Sequence, residues 1–211
     1  YHWMLDSLTR LMVRESLPEP TRILLPESAY GFVDETIEML GLTCQSERQG
    51  TNSLQPERYY FCSPTAMTGV WNPLGYEWLR KRFGAFLQPA SIGQPVFLTR
   101  RGGARVPENI SDIEEIFTRK GFAIVDCGTI PVKEQMRLAS MAPAIAGLHG
   151  AAMTNLLWVH PGTPSLEIFN PAYLNACYEQ IAFHGRLKYR HEVIEGSSGL
   201  ARISAWCSEI R

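Results

Sequence analysis

Short apolar runs alternate with helical patterns through the second half of the chain. The apolar runs, which predict strands, cover residues 94–100, 122–126, 144–146 and 165–169. The patterns between and after them, which predict helices, cover residues 109–120, 132–142, 151–158 and 175–184. Asn109 is expected to cap the first of these helices, and Gly121 to end it. Because crossovers between parallel strands usually contain a helix, the alternation predicts an α/β fold with a mostly parallel, doubly wound sheet.

The first part of the chain carries a shorter series of the same kind. Helices are predicted over residues 1–13, 32–40 and 72–86, and strands over residues 22–26 and 58–62. A stretch marked by proline and glycine, 86–93, separates the two series. We therefore expect two Rossmann-like lobes, residues 1–90 and residues 91–211, the first of them incomplete.

Composition excludes several classes of protein. Of the 211 residues, 45% are hydrophobic and 19% are charged, which is typical of a soluble globular protein. The formal net charge of -1 argues against a nucleic-acid partner. No apolar run is long enough to cross a membrane, so a cytoplasmic location is expected, with peripheral association at the inner face of the membrane left open. Five dispersed cysteines without a Cys-x-x-Cys pair predict free thiols rather than disulfides or a zinc site.

Three arginines, Arg100, Arg101 and Arg105, follow the first predicted strand of the second series. In open α/β sheets, ligands bind in such loops, beyond the carboxyl ends of the strands. Guanidinium groups bind phosphate oxygens in a bidentate manner, and the helix that starts at Asn109 adds backbone N–H donors. The segment therefore favours a diphosphate ligand. A solvated basic loop, or arginines paired with carboxylates, is the alternative.

A histidine lies between two glycines where the strand at 144–146 turns into a helix. The turn and the start of the helix supply the candidate ligand-binding residues Gly147, His149, Gly150, Ala151, Thr154 and Asn155. The glycines allow a ligand to approach the backbone closely, and the first helical amides are directed at it. His149 can donate a hydrogen bond to a phosphate or to a developing negative charge. A tight turn with a surface histidine is the alternative.

Glu167 lies in the apolar strand predicted at 165–169. A carboxylate is costly to bury there unless something pairs with it. Two neighbouring ribose hydroxyls would satisfy both of its oxygens, and a salt bridge to an arginine of the protein would do so equally well.

His2 and Asp6 have the spacing that brings two side chains to one face of a helix. A carboxylate that holds an imidazole is a general-base arrangement. The alternative is an ordinary solvated helix face. Zinc is not expected, because no second histidine or cysteine follows at ligand spacing.

Taken together, these segments resemble the conserved region of glycosyltransferase family 61. The matching residues occur in order along nearly the whole chain and are His2, Trp3 and Arg10, then Arg100, Arg101, Arg105 and Asn109, then Glu134 and Gln135, the block 147–155, and finally Pro161, Gly162, Thr163 and Glu167. The family includes plant xylan arabinosyl- and xylosyltransferases, animal GlcNAc transferases, and bacterial members connected with capsule or exopolysaccharide.

The resemblance implies a GT-B-like enzyme, with two Rossmann-like lobes and a cleft between them. It implies that the C-terminal lobe binds a nucleotide-sugar donor, with a UDP-sugar as first choice, and that the N-terminal lobe faces a glycan or another hydroxyl acceptor. It also implies an inverting, single-displacement transfer without a tightly bound cofactor. The sequence contains no Asp-x-Asp motif, in agreement with a reaction that needs no metal.

Each candidate residue has a role in this interpretation. Arg100, Arg101 and Arg105, with the amides around Gly150, would hold the diphosphate. His149 and Asn155 would assist there, and Glu167 would bind the ribose. His2, oriented by Asp6, would deprotonate the acceptor hydroxyl, and Asp6 acting directly is the second choice.

Two other functions stay open at this point. One is a nicotinamide-dependent oxidoreductase on a Rossmann sheet, although the chain lacks the Gly-x-Gly-x-x-Gly turn of that class. The other is a module that binds a nucleotide or glycan without catalysis. The presence of His2, Asp6 and Glu167 argues against the second alternative, because a module that only binds does not need such polar residues on both lobes.

Overall fold

The structure is a computed structural model that describes the chain except for residues 19, 28–29, 51–54, 71, 103–105 and 211. The chain divides into two compact units, Tyr1–Ala85 and Phe86–Arg211. Among the described residues, no helix combines the length and apolar character that a membrane crossing requires.

The first unit begins with an irregular helical segment. It is π-helical over Trp3–Ser7, 3-10-helical over Leu8–Arg10 and α-helical over Leu11–Arg14 (α1). The Thr9 hydroxyl donates to the Leu5 carbonyl at 2.6 Å, and the Arg10 guanidinium donates to the Asp6 carbonyl at 2.9 Å. These side chains compete for backbone carbonyls that a regular helix would use for its own hydrogen bonds. The competition agrees with the irregular backbone of this segment.

A two-stranded parallel sheet follows in the same unit. Its strands are Ile23–Pro26 (β1) and Ser46–Gln49 (β2), and they are connected through the helix Gly31–Met39 (α2) and a short 3-10 turn, Thr43–Gln45. The helix Pro73–Arg82 (α3) comes later, before the 3-10 turn Gly84–Phe86. The Asn72 side chain accepts a hydrogen bond from the Leu74 amide at 3.0 Å, so α3 begins with the predicted proline in its first turn.

The prediction of a strand over residues 58–62 is wrong. These residues form no strand, and Tyr59 and Phe61 are exposed. Aromatic residues favour strands only where a neighbouring strand and a packed face are available. The segment that follows is instead attached by side chains, because Thr65 and Thr9 share a hydrogen bond of 3.0 Å.

The second unit is built on a five-stranded sheet in which every pairing is parallel. In chain order its elements are the strand Val96–Thr99 (β3), the helix Ile110–Arg119 (α4), the strand Ala123–Asp126 (β4), a 3-10 turn Cys127–Thr129, the helix Val132–Met141 (α5), the strand Ile145–Leu148 (β5), a 3-10 helix Ala151–Trp158, the strand Pro164–Phe169 (β6), the helix Cys177–His184 (α6), the strand Lys188–Val193 (β7) and the helix Gly196–Glu209 (α7). The strands lie in the order β4-β3-β5-β6-β7. The predicted α/β class with mostly parallel sheets is confirmed.

Helices cover both faces of this sheet. On one face, Phe117 and Ile113 of α4 and Trp206 of α7 belong to the same hydrophobic core as strand residues such as Leu166. On the other face, the 3-10 helix Ala151–Trp158 packs against α5 and α6. The helices are amphipathic because each buries one side against the strands.

Two elements at the end of the chain were not predicted from the sequence. Strand β7 consists largely of polar residues, since it lies at the edge of the sheet and most of its side chains are at least partly exposed. It therefore lacks the apolar run by which the other strands were found. The helix α7 starts with a Gly-Ser-Ser-Gly sequence, which gives no helical signal.

Candidate functional site

Arg100, His149 and Gly150 lie where the strand order of the second unit reverses. From β3 the chain moves outward to β4 and then returns to β5 on the other side of β3. Ligands of open α/β sheets bind at such a switch point, beyond the carboxyl ends of the strands. Arg100 directly follows β3, and His149 and Gly150 directly follow β5.

Arg100 and Gly150 are in close contact at the switch point. Nη1 of Arg100 lies 3.4 Å from the carbonyl oxygen of His149. A Cβ atom added at Gly150 would lie 2.8 Å from the same nitrogen. The missing side chain of Gly150 therefore lets the guanidinium rest against the backbone of the turn.

Gly147 has a different role, in packing. A Cβ atom added there would lie 2.7 Å from Sδ of Met153 and 2.9 Å from Cβ of Leu98. Gly147 thus lets the 3-10 helix Ala151–Trp158 and strand β3 approach β5 closely. The sequence predicted that a ligand approaches Gly147 closely. In the structure, the atoms closest to the position of its absent Cβ belong to Met153 and Leu98.

The His149 ring is enclosed by aromatic side chains and one carboxylate. Nδ1 lies 2.5 Å from Oε1 of Glu167. The ring stacks on Phe169, with centroids 4.8 Å apart, and contacts Tyr173 and Tyr178. Among the described residues, no hydrogen bond to the other ring nitrogen, Nε2, is present. A small pocket borders the ring, and its other lining residues are Pro107, Leu148, Ile168, Asn170 and Tyr173.

Glu167 is fully buried in β6, and both of its oxygens have protein partners. Oε1 contacts His149, and Oε2 accepts a hydrogen bond of 2.5 Å from the Tyr189 hydroxyl. Burial, and then the negative charge of Glu167, raise the pKa of Tyr189 far above its usual range. The same two causes raise the pKa of the Cys177 thiol to about 11.

The sequence left two kinds of partner open for Glu167, the hydroxyls of a ribose or an arginine of the protein. Neither is the partner in this structure, where a histidine and a tyrosine hold the carboxylate. A ribose would have to replace one of these two partners. The ribose assignment therefore stays a prediction.

Asn155 ties the 3-10 helix to the start of α5. Its amide nitrogen donates to the Ala152 carbonyl and to Oε1 of Gln135, both at 3.0 Å. Gln135 in turn donates to the Cys127 carbonyl at 2.9 Å and to the Ile130 carbonyl at 3.1 Å. Asn155 is buried, so it holds the segment that carries the turn, and its predicted contact with the donor is untested.

Two more residues of the same helix differ in their access to solvent. Ala151 is exposed at the first helical position, where backbone amides point outward. The Thr154 hydroxyl is buried, and no described group bonds to it. Of the two, Ala151 is the one that a ligand at the turn can reach in this arrangement.

The arginine segment is only partly described. Arg101 forms an ion pair of 2.9 Å with Glu114 of α4, and the Thr99 hydroxyl donates to the same carboxylate. Arg105 lies outside the described residues. Asn109 is the N-cap residue of α4, as predicted, but its side chain makes no capping hydrogen bond; its backbone carbonyl accepts from the amide of Asp112 at 3.1 Å.

In the first unit, the predicted pair of His2 and Asp6 is in contact. Nδ1 of His2 lies 2.8 Å from Oδ2 of Asp6, and the Thr68 hydroxyl donates to the same oxygen at 3.0 Å. The His2 side chain is 72% exposed and that of Asp6 only 15%, so the imidazole is accessible while the carboxylate behind it is held. This arrangement can orient a general base.

Three residues of these clusters were not predicted as site residues. Thr68 and Gln135 bond to candidate residues, and Tyr189 bonds to Glu167. Tyr189 lies on β7, which has no apolar signal. Had β7 been recognised as the neighbour of β6, strand pairing would have brought Tyr189 near Glu167.

Across the part of the chain that the structure describes, no three histidine, cysteine, aspartate or glutamate side chains are grouped so that they could hold a metal ion.

Comparison with known proteins gives one family. The family model described as Glycosyltransferase 61 matches residues 1–166, and so includes His2, Asp6, Arg100 and His149 but ends one residue before Glu167. No curated protein matches the chain. Together with the parallel sheets of both units, the family match is consistent with a GT-B-like, Rossmann-type fold.

Proposed function

Since the chain belongs to glycosyltransferase family 61 and is therefore a glycosyltransferase, we propose that it uses a nucleotide diphosphate sugar, with a UDP-sugar as first choice. The acceptor is a hydroxyl group of a glycan or of another molecule. The observation that carries this proposal is the position of Arg100, His149 and Gly150 together at the switch point of the parallel sheet.

In the proposed reaction, the bond between the anomeric carbon and the diphosphate oxygen breaks while the acceptor oxygen forms a new bond from the opposite face. The diphosphate leaves with the bonding electrons and requires positive charge nearby. The guanidinium of Arg100, the imidazole of His149 and the amides after Gly150 supply cations and N–H donors at one place. This set supports an inverting transfer in which no metal ion is needed.

The proposal assigns the donor to residues 91–211 and the acceptor side to residues 1–90. The proton of the acceptor hydroxyl passes to His2, which Asp6 orients through their contact of 2.8 Å. Asp6 acting directly is the second choice. A role in capsule or exopolysaccharide synthesis, at the cytoplasmic side of a membrane, rests on the resemblance to bacterial members of the family.

Calorimetric titration with UDP, GDP, CMP and their sugars tests the donor site. We expect UDP to bind and the variant Arg100→Ala to lower its affinity roughly 10–100-fold, because a charge-assisted contact is lost. Arg101→Ala is the matched control. Its arginine is paired with Glu114 and largely exposed, so we expect a change of less than about fivefold.

Three results would contradict the proposal. Failure of every nucleotide to bind to the folded protein would end it. Tight binding of NAD without any binding of UDP would favour an oxidoreductase. Binding of a sugar nucleotide with neither hydrolysis nor transfer, over a broad panel of acceptors, would favour a binding module.

A further inference from the structure

We infer that Glu167 and Tyr189 are positioning residues that act through His149, holding its ring so that Nε2 faces the diphosphate. This inference rests on the proposed function, which assigns the diphosphate to the turn after β5. It gives Glu167 a role that differs from ribose binding.

The first support is the burial of the Glu167 carboxylate. It has no exposed surface, and among the described residues no lysine or arginine forms an ion pair with it. A buried carboxylate is stable only if hydrogen bonds and an opposite charge compensate it. The Tyr189 hydroxyl donates one hydrogen bond, and the imidazole of His149, when it carries two protons, provides the charge.

The second support is the fixed orientation of the ring. The amide of His149 donates to the Ile168 carbonyl at 2.8 Å, which holds its backbone beside β6. Phe169 lies nearly parallel to the ring, at an interplanar angle of 22°, and Tyr178 meets it edge-on. With Nδ1 bound to Glu167, a proton on Nε2 is the donor that remains for a ligand.

Several ionisable groups surround the pair of His149 and Glu167. The ionisable groups that face the pair from neighbouring elements are Tyr173, Cys177, Tyr178, Glu179, Tyr189 and His191, together with Arg100 beside the His149 carbonyl. Burial and the Glu167 charge keep the hydroxyl of Tyr189 and the thiol of Cys177 protonated at neutral pH, since both raise the pKa of each group. An anion bound at the turn would therefore meet the Nε2 side of a ring whose Nδ1 is bound to Glu167.

The test compares Glu167→Gln, Tyr189→Phe and the control Glu192→Gln. Glutamine keeps the shape of the side chain and removes its charge. Glu192 lies one strand away and pairs with Arg202, so its variant makes the same chemical change outside the cluster. Nitrogen NMR of the imidazoles in the ligand-free protein reports which ring nitrogen of His149 carries a proton. Calorimetry reports the affinity for UDP at several pH values.

We expect the wild type to carry a proton on Nδ1 of His149, held there by the Glu167 carboxylate, and to bind UDP. In Glu167→Gln the proton should no longer be fixed on Nδ1, because an amide can donate to that nitrogen as well as accept from it. UDP affinity at neutral pH should fall about tenfold or more. Tyr189→Phe should show smaller effects in the same direction, and Glu192→Gln none.

The outcomes separate this inference from the proposed function. If the ring responds to Glu167→Gln but no nucleotide binds to the wild type, the positioning role stands and the donor site is wrong. If UDP binds equally well at each pH to the wild type and to Glu167→Gln, and the ring protons are unchanged, the inference is overturned. Should Glu167→Gln fail to fold, Tyr189→Phe decides by the same two measurements.

Discussion

Arg100 and Arg101 are adjacent in the chain but have different partners. Arg100 reaches the turn after β5, whereas Arg101 turns to Glu114 of α4. The sequence could predict that arginines lie after β3, because their position relative to a strand is visible in it. It could not predict which of them faces the turn, because that depends on a glycine about fifty residues away.

His2 is the residue whose proposed role depends most on its neighbour. Its contact with Asp6 was predicted from spacing, and the Thr68 hydroxyl that also holds Asp6 was not. Thr68 follows a segment without regular structure, so no periodic pattern connects it with the first helix. Residue types and local spacing were therefore enough for the pair, and long-range partners were not.

Replacing His2 tests the base directly. With the donor and acceptor that give the highest transfer rate, we expect His2→Ala to lower kcat about 10²–10⁴-fold with little change in UDP affinity. Asp6→Asn should lower kcat less, because the imidazole remains. His184→Ala, which alters a partly exposed histidine of the second unit, is the control. An unchanged kcat in His2→Ala would remove His2 from the mechanism.

Among the elements, the 3-10 helix Ala151–Trp158 shows how closely the site depends on packing. Gly147 on β5 leaves room for Met153 of this helix, and Asn155 connects the helix with the residues before and within α5. The helix carries the turn whose backbone borders Arg100. Its position against β5 therefore sets the geometry of the candidate donor site.

We expect Gly147→Ala to destabilise the protein by about 1–3 kcal/mol, because the new methyl group overpacks Met153 and Leu98. In thermal unfolding followed by circular dichroism, this corresponds to a fall in Tm of roughly 2–4 °C for each kcal/mol. Gly84→Ala is the matched control, because a Cβ atom there meets nothing within 4 Å. Equal Tm values for the two variants would show that the contact at Gly147 is looser than described.

The success of sequence-based prediction differed between elements for a physical reason. Buried strands such as β3 and β5 contain uninterrupted apolar residues, so their positions were predicted to within a few residues. The edge strand β7 consists mostly of polar residues whose side chains are exposed or only partly buried, and it was missed. Residues 58–62 have strand-forming aromatic side chains, but no strand among the described residues pairs with them, so their pattern predicted a structure that does not form.

For the molecule as a whole, the cysteines report on the integrity of the fold. All five are free; Cys177 and Cys207 are buried, whereas Cys44 is exposed. Burial raises the pKa of the Cys127 thiol to about 12 and that of the Cys207 thiol to about 11. At pH 8, these buried thiols are almost entirely protonated and therefore weakly nucleophilic.

A thiol reagent at about pH 8 should label Cys44 and Cys62 quickly, and the other three cysteines only after unfolding. The thiols of the unfolded chain lose their protons near pH 9, at lower pH than the buried thiols of the folded chain. The free energy of unfolding therefore falls as the pH rises from about 9 towards about 12. Mass spectrometry of the labelled peptides measures both effects. Rapid native labelling of Cys177 or Cys207 would contradict their burial.

The overall class of fold followed from the alternation of strands and helices, whereas the core of the candidate site did not. His149 and Glu167 meet because β5 and β6 are neighbours in register, with Gly147 opposite Glu167. The strand order that makes them neighbours cannot be seen in local patterns. The sequence predicted both residues as functional and could not predict that they bond to each other.

The polar character of β7 also bears on how the protein behaves at high concentration. An edge strand has unpaired backbone groups that could add a strand from another molecule and begin aggregation. The exposed Lys188 and Arg190 place charge along this edge, and Arg202 pairs with Glu192 beside it. A second copy approaching strand to strand would have to remove these charged side chains from water. The residues that gave β7 no apolar signal thus protect the sheet from growing beyond its fifth strand.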